Sequence, residues 1–483
     1  MDTTGYYDPL QYPLLFPYGS YGWSINSVDN NGRTIPCRAF YAYYFQIRPH
    51  SISIILLAQR LFQQFVVDNF VKIEANKLRW IRDHQHTIRA ELYQGLQDCL
   101  ATGELNPVNV GKTTVLPSSF VGSPRDLNER CQDSMALVLN YGKPDLFITM
   151  TCNPSWKEIL EELLPGQTSQ DRPDLITRIF HAKFEEFKSD VVDKGVLGNV
   201  VVYVYVVEFQ KRGLPHVHML LILDENEKPR SPEEYDKIVK AEIPDRDEEP
   251  RLYSVVLKHM IHNPCGVGHR NSSCMENGVC KRKFPKPFSA STIQGDNSYP
   301  VYRRRGDHVV VPLHENSSTY VDNSWVVPYN TWLQLKYDCH INVEICSSIK
   351  IVKYLYKYVH KGVDRVSMEV RAGADNNEIQ QFVDARWVCA PEALWRIYQF
   401  QITRMYPSVE RLQLHLPDRH QVRFNTNQSI EDILQMPENS QTMLTEFFKM
   451  NAIDPEARSY LYKDFPRRYR WMTSTKNMEE EEE

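Results

Sequence analysis

No stretch of this sequence supplies the roughly 18 consecutive apolar residues that a membrane-spanning helix needs, and the apolar run at 52–57 is far too short. Met1-Asp2-Thr3 opens without the basic and apolar regions of a secretory leader. A soluble chain with no membrane partner is therefore expected, and its 10 scattered cysteines read as reduced thiols or metal ligands rather than a disulfide framework. Gly111-Lys112-Thr113 lacks the glycine that a nucleotide phosphate loop carries five positions earlier, where Asn106 stands, and no better match occurs elsewhere. Internal repeats are missing too. So is a net positive charge: 56 Lys and Arg face 61 Asp and Glu, and residues 479–483 account for the whole imbalance. That balance leaves a polyanionic partner open, because local basic surface decides such binding rather than the total. Lys281-Arg282-Lys283, Arg303-Arg304-Arg305 and Arg467-Arg468 are candidate patches, each of which could equally be a solvated face.

What is present is length enough for about three units at roughly 150 residues each, with 42% hydrophobic residues to fill their cores. The first forty residues, rich in Tyr, Pro and Gly, predict irregular structure. Over 52–100 apolar residues recur at helical spacing, with Leu61, Phe65, Val66, Phe70 and Ile73 on one side, which predicts a pair of long helices. Beyond Asp145 the pattern turns to short runs rich in Val, Ile, Tyr and Phe, at 146–150, 200–209 and 217–223, which predict strands. Helical periodicity at 156–164 and 175–187 separates the first two. The polar Gln210-Lys211-Arg212-Gly213-Leu214-Pro215 joins the second and third as an antiparallel hairpin. An acidic excursion with one short helix over 224–250, a strand at 341–345 and a helix over 347–361 follow, with helical and mixed segments continuing from 375 to 471. The class is α+β with an antiparallel sheet.

His216 and His218 lie at i and i+2, so on a strand both imidazoles leave one face of the sheet, as half of a divalent-metal site would require. The plain alternative is two histidines on a polar strand face. A hard cation also wants an oxygen donor. Glu208, at the end of the partner strand, is the candidate, and Gln210, His340, Asn342 and Glu344 are rivals. In Lys353-Tyr354-Leu355-Tyr356-Lys357-Tyr358-Val359-His360-Lys361, helical geometry stacks Tyr354 and Tyr358 on one face near Lys357 and Lys361. A phenol with a pKa near 10 needs a metal or cations to become a nucleophile. Simple aromatic packing is the alternative. Finally, His262, Cys265, Cys274 and Cys280 offer four ligands to structural Zn2+ in a Gly- and Asn-rich loop, with His259 or His269 as substitutes for His262 and free cysteines as the alternative. Zinc there would order the loop and present Lys281-Arg282-Lys283 to DNA.

Three segments resemble, in order, the motifs of Helitron rolling-circle transposases: Phe147-Ile148-Thr149-Met150-Thr151-Cys152-Asn153-Pro154, then Glu208-Phe209-Gln210-Lys211-Arg212-Gly213-Leu214-Pro215-His216-Val217-His218, then Lys353-Tyr354-Leu355-Tyr356-Lys357-Tyr358. Asp8-Pro9-Leu10-Gln11-Tyr12-Pro13-Leu14-Leu15-Phe16-Pro17, Arg60-Leu61-Phe62-Gln63-Gln64-Phe65 and Leu116-Pro117-Ser118-Ser119-Phe120 extend the likeness to the Helitron helicase-like N-terminal region and over most of the chain. The resemblance implies a Rep nuclease of the HUH superfamily on a ferredoxin-like antiparallel sheet. It implies His216 and His218 as ligands of Mg2+ or Mn2+, and Tyr354 and Tyr358 as paired nucleophiles toward single-stranded DNA. It implies a nuclear protein. The expected organisation is a Tyr/Pro-rich and helical region at 1–115, the nuclease core at 116–372 with a Cys/His loop inserted at about 255–290, and a mixed α/β C-terminal extension at 373–483 with an acidic tail. The family's helicase and N-terminal zinc finger have no counterpart in this sequence, so a helicase would come from another chain. Two readings compete with an active strand transferase: a repurposed fragment that binds DNA without cutting it, and a metallohydrolase that would leave the tyrosines unexplained.

Overall fold

The computed structural model describes residues 4–48, 52–84, 89–92, 116–210, 213–266, 272–294, 299–306, 310–313, 319–346, 379, 382–383, 386–424, 428–472 and 477–480. The expected tyrosine helix over 347–361, and with it Tyr354, Lys357, Tyr358 and Lys361, lies outside the described residues, as does His269. The chain divides into two compact units. The larger comprises Met1–Ile73, Leu127–Met368 and Arg386–Pro407; the smaller comprises Glu74–Asp126, Glu369–Ala385 and Ser408–Glu483.

In the larger unit five strands form one antiparallel sheet: β1 (Leu146–Thr151), β2 (Val200–Phe209), β3 (Pro215–Leu223), β4 (Ile341–Ile345) and β5 (Thr403–Tyr406). Their order across the sheet is β5-β2-β3-β1-β4. β2 and β3 are the predicted hairpin, closed by Gln210 N–H to the Leu214 carbonyl at 3.0 Å and Gly213 N–H to the Gln210 carbonyl at 2.7 Å. Gly213 sits at φ +84°, which a residue with a side chain adopts only at a cost. Since β1 and β2 both run antiparallel to β3, they are parallel to each other and need a crossover. The helix Pro173–Lys188 supplies it. It starts on Pro173 at its first turn, and Asp174 is gripped by both arms of the buried Arg172 guanidinium, at 3.0 and 2.8 Å.

Alternation along the strands sorts side chains onto two faces. Leu146, Ile148 and Met150, Tyr203, Tyr205, Val207 and Phe209, Val217, Met219 and Leu221, and Ile341, Val343 and Ile345 share one core with Phe180, Phe184 and Phe187 of the crossover helix. Those phenylalanines recur at helical spacing, so one stripe of the helix faces the sheet. Just after the helix the turn Ser189–Asp193 carries Asp190, whose carboxylate accepts from Lys194, Lys336 and Tyr337. This pins the crossover to the helix Thr331–Tyr337 that leads into β4. Burial works against ionising Asp190, but those donors hold its carboxyl down to about 2.

The structure corrects three expectations. The N-terminal region is not wholly irregular: Tyr7–Gln11 and Cys37–Tyr44 are helical, and Tyr12, Phe16, Tyr41 and Phe45 pack with Phe62 and Phe65 of the helix Gln59–Asp83. Asp8 explains it, because Lys72 at 2.9 Å and the Tyr41 hydroxyl at 2.6 Å meet its buried carboxylate. Second, within the described residues the periodic region holds one long helix, Gln59–Asp83, and then, where helix was expected, a strand at Arg89–Leu92 paired with Gln421–Phe424 in the smaller unit; residues 93–100 lie outside the described residues. A distant partner outweighs the local helical preference of Arg-Ala-Glu-Leu. Third, β5 went unanticipated, because nothing in Thr403–Tyr406 announces an edge strand. The short helix in the acidic excursion is Pro232–Ile238. No helix among the described residues is long and apolar enough to cross a membrane.

Two measurements check this core. Phe184→Ala should cost about 3–5 kcal/mol of unfolding free energy through the cavity it leaves, read by denaturant titration of Trp fluorescence. Asp190 titrates below its ordinary value, so its stabilisation is full above about 3.8 and is lost as pH falls through about 2. Asp190→Asn should therefore lower the melting temperature at pH 6, and the deficit should shrink as both proteins are acidified toward pH 2.

Candidate metal centres

The face of the sheet opposite the phenylalanine core carries the predicted histidines. In the β2–β3 register Glu208 lies across from His216, and Val206 across from His218. On the other flank Thr151 pairs with His216 and Thr149 with His218, while Asn342 of β4 lies across from Thr149. Glu208, His216 and His218 consequently converge, each offering a donor atom within 4.8 Å of the others. Glu208 Oε2 stands 3.3 Å from His216 Nε2 and 3.8 Å from His218 Nε2, and all three side chains are largely withdrawn from solvent. Neighbouring donors around an ion bound at about 2.0–2.2 Å sit roughly 3.0–3.5 Å apart, so the group fits a small divalent ion with little adjustment. Two neutral imidazoles and one carboxylate, buried together, would hold a cation whose charge offsets that of Glu208.

Thr149 completes this arrangement. Its hydroxyl lies 2.9 Å from His218 Nδ1. A hydroxyl accepting from Nδ1–H fixes the imidazole in the tautomer that leaves the Nε2 lone pair toward Glu208, the outer-shell role usual for metal-binding histidines. Phe147, two residues earlier on the same face, stacks parallel to the His218 ring at 5.7 Å. His216 stands edge-on to His218, and its buried Nδ1 has no hydrogen-bond partner among the described residues. The sequence motif contained Thr149, but its role needed the β1–β3 register.

Of the four rival ligands, Asn342 lies across from Thr149 with a buried Oδ1 that has no hydrogen-bond partner among the described residues, and the other three go elsewhere. Gln210 is exposed and closes the hairpin through its backbone. His340 turns Nδ1 to the carbonyl of His259 at 2.8 Å, and burial pulls it below its ordinary pKa. Burial pushes the Glu344 carboxyl up to about 7, against the pull of Tyr302, Lys286 and Arg304. A carboxyl half-protonated near neutrality is a poor ligand, and neither His340 nor Glu344 belongs to the converging group.

The second predicted set also assembles. His262, Cys265, Cys274 and Cys280 bring their donors within 4.8 Å of one another. His262 Nε2 lies 3.6 Å from both Cys265 Sγ and Cys280 Sγ. Sulfur at about 2.3 Å and nitrogen at about 2.0–2.1 Å around a tetrahedral ion stand roughly 3.6 Å apart, so the spacing fits. Local sequence builds it. Met275–Glu276 and Val279–Cys280 pair across Asn277 at φ +51° and Gly278 at φ +79°, the two positive values a tight two-residue hairpin demands. The hairpin brings Cys274 and Cys280 together, and the Lys281 N–H bonds the Cys274 carbonyl at 2.8 Å. His262 arrives on a segment tied to Trp325 by a 2.8 Å backbone bond, and Phe284 stacks on its ring at 4.2 Å. Burial first, then Arg282 and Lys286, pull His262 down to about 4, so its imidazole is neutral at pH 7, as a metal ligand would have to be. Burial opposes ionisation of Cys280, yet the backbone N–H groups of Phe284 and Arg282 hold its thiol below the ordinary value. Burial and the neighbouring sulfurs push Cys265 up to about 12. Of the named substitutes, His259 is engaged by Asp338 at 3.0 Å.

These features define an α+β protein with two groups of residues able to hold a metal, one hard and mixed, one sulfur-rich. Residues 40–221 match the family model described as the Helitron helicase-like domain at the N-terminus, which makes the chain Helitron-related over that span. The match includes Thr149, Glu208, His216 and His218 and ends before His262. No curated protein matches the chain.

Thr149→Val should weaken Mn2+ binding about 10-fold, at the lower end for loss of an outer-shell partner, in titration calorimetry, while circular dichroism stays that of the parent.

Proposed function

We propose that this chain is the nuclease portion of a Helitron-like rolling-circle transposon protein, a metal-dependent single-stranded DNA endonuclease and strand transferase. The convergence of Glu208, His216 and His218 on one sheet face carries the reading. Sheet order adds support: β4-β1-β3-β2, with a helix crossing from β1 to β2, follows the ferredoxin-like split βαβ pattern expected for an HUH core, and β5 extends its edge. Glu208, His216 and His218 would hold Mg2+ or Mn2+, and His262, Cys265, Cys274 and Cys280 would hold Zn2+.

A divalent ion held by Glu208, His216 and His218 would supply positive charge to a scissile phosphate. The chain's own part is nucleophilic. Tyr354 or Tyr358 loses its phenolic proton, assisted by the charges of Lys357 and Lys361, and its Oη bonds to phosphorus. The phosphorus–O3′ bond breaks, O3′ takes up a proton, and a 5′-phosphotyrosine remains beside a free 3′-hydroxyl. That hydroxyl, or one from another strand, reverses the step. With two tyrosines, one end is held while the second strand is cut, which suits strand transfer better than hydrolysis. Thr149 keeps His218 directed, and Glu208 would complete the ligand set. The activity would belong in the nucleus.

Incubation with end-labelled single-stranded DNA and Mn2+ should give a protein–DNA adduct on a denaturing gel that EDTA prevents. Tyr354→Phe should abolish it and Tyr356→Phe should not. Binding without any adduct would favour a DNA-binding fragment. Cleavage that persists with both Tyr354→Phe and Tyr358→Phe would overturn the covalent mechanism.

A further inference from the structure

Three basic runs stand out in the sequence, and the fold disposes of two. Arg303 and Arg305 are spent on Asp236 and Glu242, and Arg304 is buried with its guanidinium on the carbonyls of Asn323 and Val326 at 2.6 and 2.7 Å. Arg467 and Arg468 face Asp464 and Glu456. In the third run Lys281 pairs with Glu276 at 3.4 Å, but Arg282 and Lys283 are exposed and make no ion pair among the described residues.

The backbone that carries these two cations is firmly placed. They directly follow Cys280, and the Arg282 and Phe284 N–H groups point at its sulfur. The Lys283 N–H bonds the Cys280 carbonyl at 2.8 Å, with Lys283 at φ +55°. Lys286 locks the far side: its N–H bonds the Ser324 carbonyl at 2.8 Å, and its ammonium donates to the Arg282 carbonyl at 2.9 Å while lying over the Phe284 ring. A backbone held at both ends spares the ordering entropy that a loose basic loop would lose on binding.

Their placement has a direction. His340, at the start of β4, bonds the His259 carbonyl, and its own carbonyl accepts from the Thr151 N–H at 2.9 Å, across from His216. The segment 259–262 thus leads from the sulfur-rich group to the strand beside the histidine pair. Cys280, two positions before Arg282, lies 3.6 Å from His262, so the loop that carries Arg282 is held through this segment at the β4 flank of the first centre.

We propose that the His262–Cys265–Cys274–Cys280 centre is a zinc-braced phosphate clamp, which sets Arg282 and Lys283 to grip the backbone of a single strand leaving the Glu208–His216–His218 site across the β4 flank. It rests on the reading of a single-stranded DNA substrate and of zinc at the second centre, and adds the residues and the route. Recognition would be of phosphate charge, so it would be indifferent to base sequence and sensitive to salt.

The test is fluorescence anisotropy of the full chain with a labelled single-stranded oligonucleotide across a salt series, beside metal analysis. Each phosphate contact on a single strand contributes about 0.7 to the slope of log K against log salt. Arg282→Ala with Lys283→Ala should flatten that slope by about 1.4, while zinc content and Mn2+ affinity stay at parental values. Arg282→Lys should restore most of the slope. Cys274→Ser should lose the metal and the slope together, and the Arg282 and Lys283 variants carry the test alone if that protein fails to fold. A parental slope in the double variant overturns the clamp and leaves the nuclease reading intact. A flattened slope in a protein that forms no covalent adduct upholds the clamp and sinks the nuclease instead. Absence of zinc from the purified parent, or of any DNA binding by it, overturns the proposal.

Discussion

A slip of β3 by one residue against β2 would carry His216 and His218 into the phenylalanine core and leave Glu208 opposite Val217, so the hairpin register is the constraint on which the rest depends. What fixes it is less the short turn than the core beneath. Tyr205, Val207 and Phe209 on β2, with Val217, Met219 and Leu221 on β3, must all face the same helix, and no other pairing buries both sets. Roughly 1.5–3 kcal/mol for each such side chain makes the cost of a slip far larger than anything the polar face could return. The apolar face thus decides where the polar residues meet.

A buried carboxylate between two imidazoles is costly in a bare core, and here it is tolerated because the surrounding fold is over-determined. Asp190 clamps the crossover to the helix before β4, and Arg172 with Asp174 anchors that crossover at its other end. Thr149 then removes the remaining freedom of His218. The sulfur-rich group is organised differently. Its geometry comes from a two-residue turn and backbone N–H groups directed at the Cys280 sulfur, with aromatic packing behind His262. One centre is positioned by a sheet and the other by a loop.

Much of this was written plainly in the residues. Four of the sheet's five strands were legible because short apolar runs rich in β-branched and aromatic residues have few other uses, and the two-residue spacing of His216 and His218 already placed them on one face. Both ligand sets were legible as sets. Glu208 could be chosen over Glu344 only through burial, since the two carboxylates look alike in sequence and the structure leaves one near the histidines and the other half-protonated. The helix at Tyr7–Gln11 escaped notice because its reason for existing, the Asp8 contact with Lys72, spans 64 positions.

By itself, then, the sequence determined the α+β class, the hairpin, the ligand types and the likeness to Helitron proteins, because these depend on residue identity and short spacings that survive without knowledge of what lies across the sheet. Only the tertiary structure decided that Thr149 orients His218, that β5 and the strand at Arg89–Leu92 exist, and which arginines are left to meet a partner. Each of those depends on a contact between segments distant in the chain. Burial and pairing, which set the energy of a charge or an edge, are properties of such contacts and not of any residue alone.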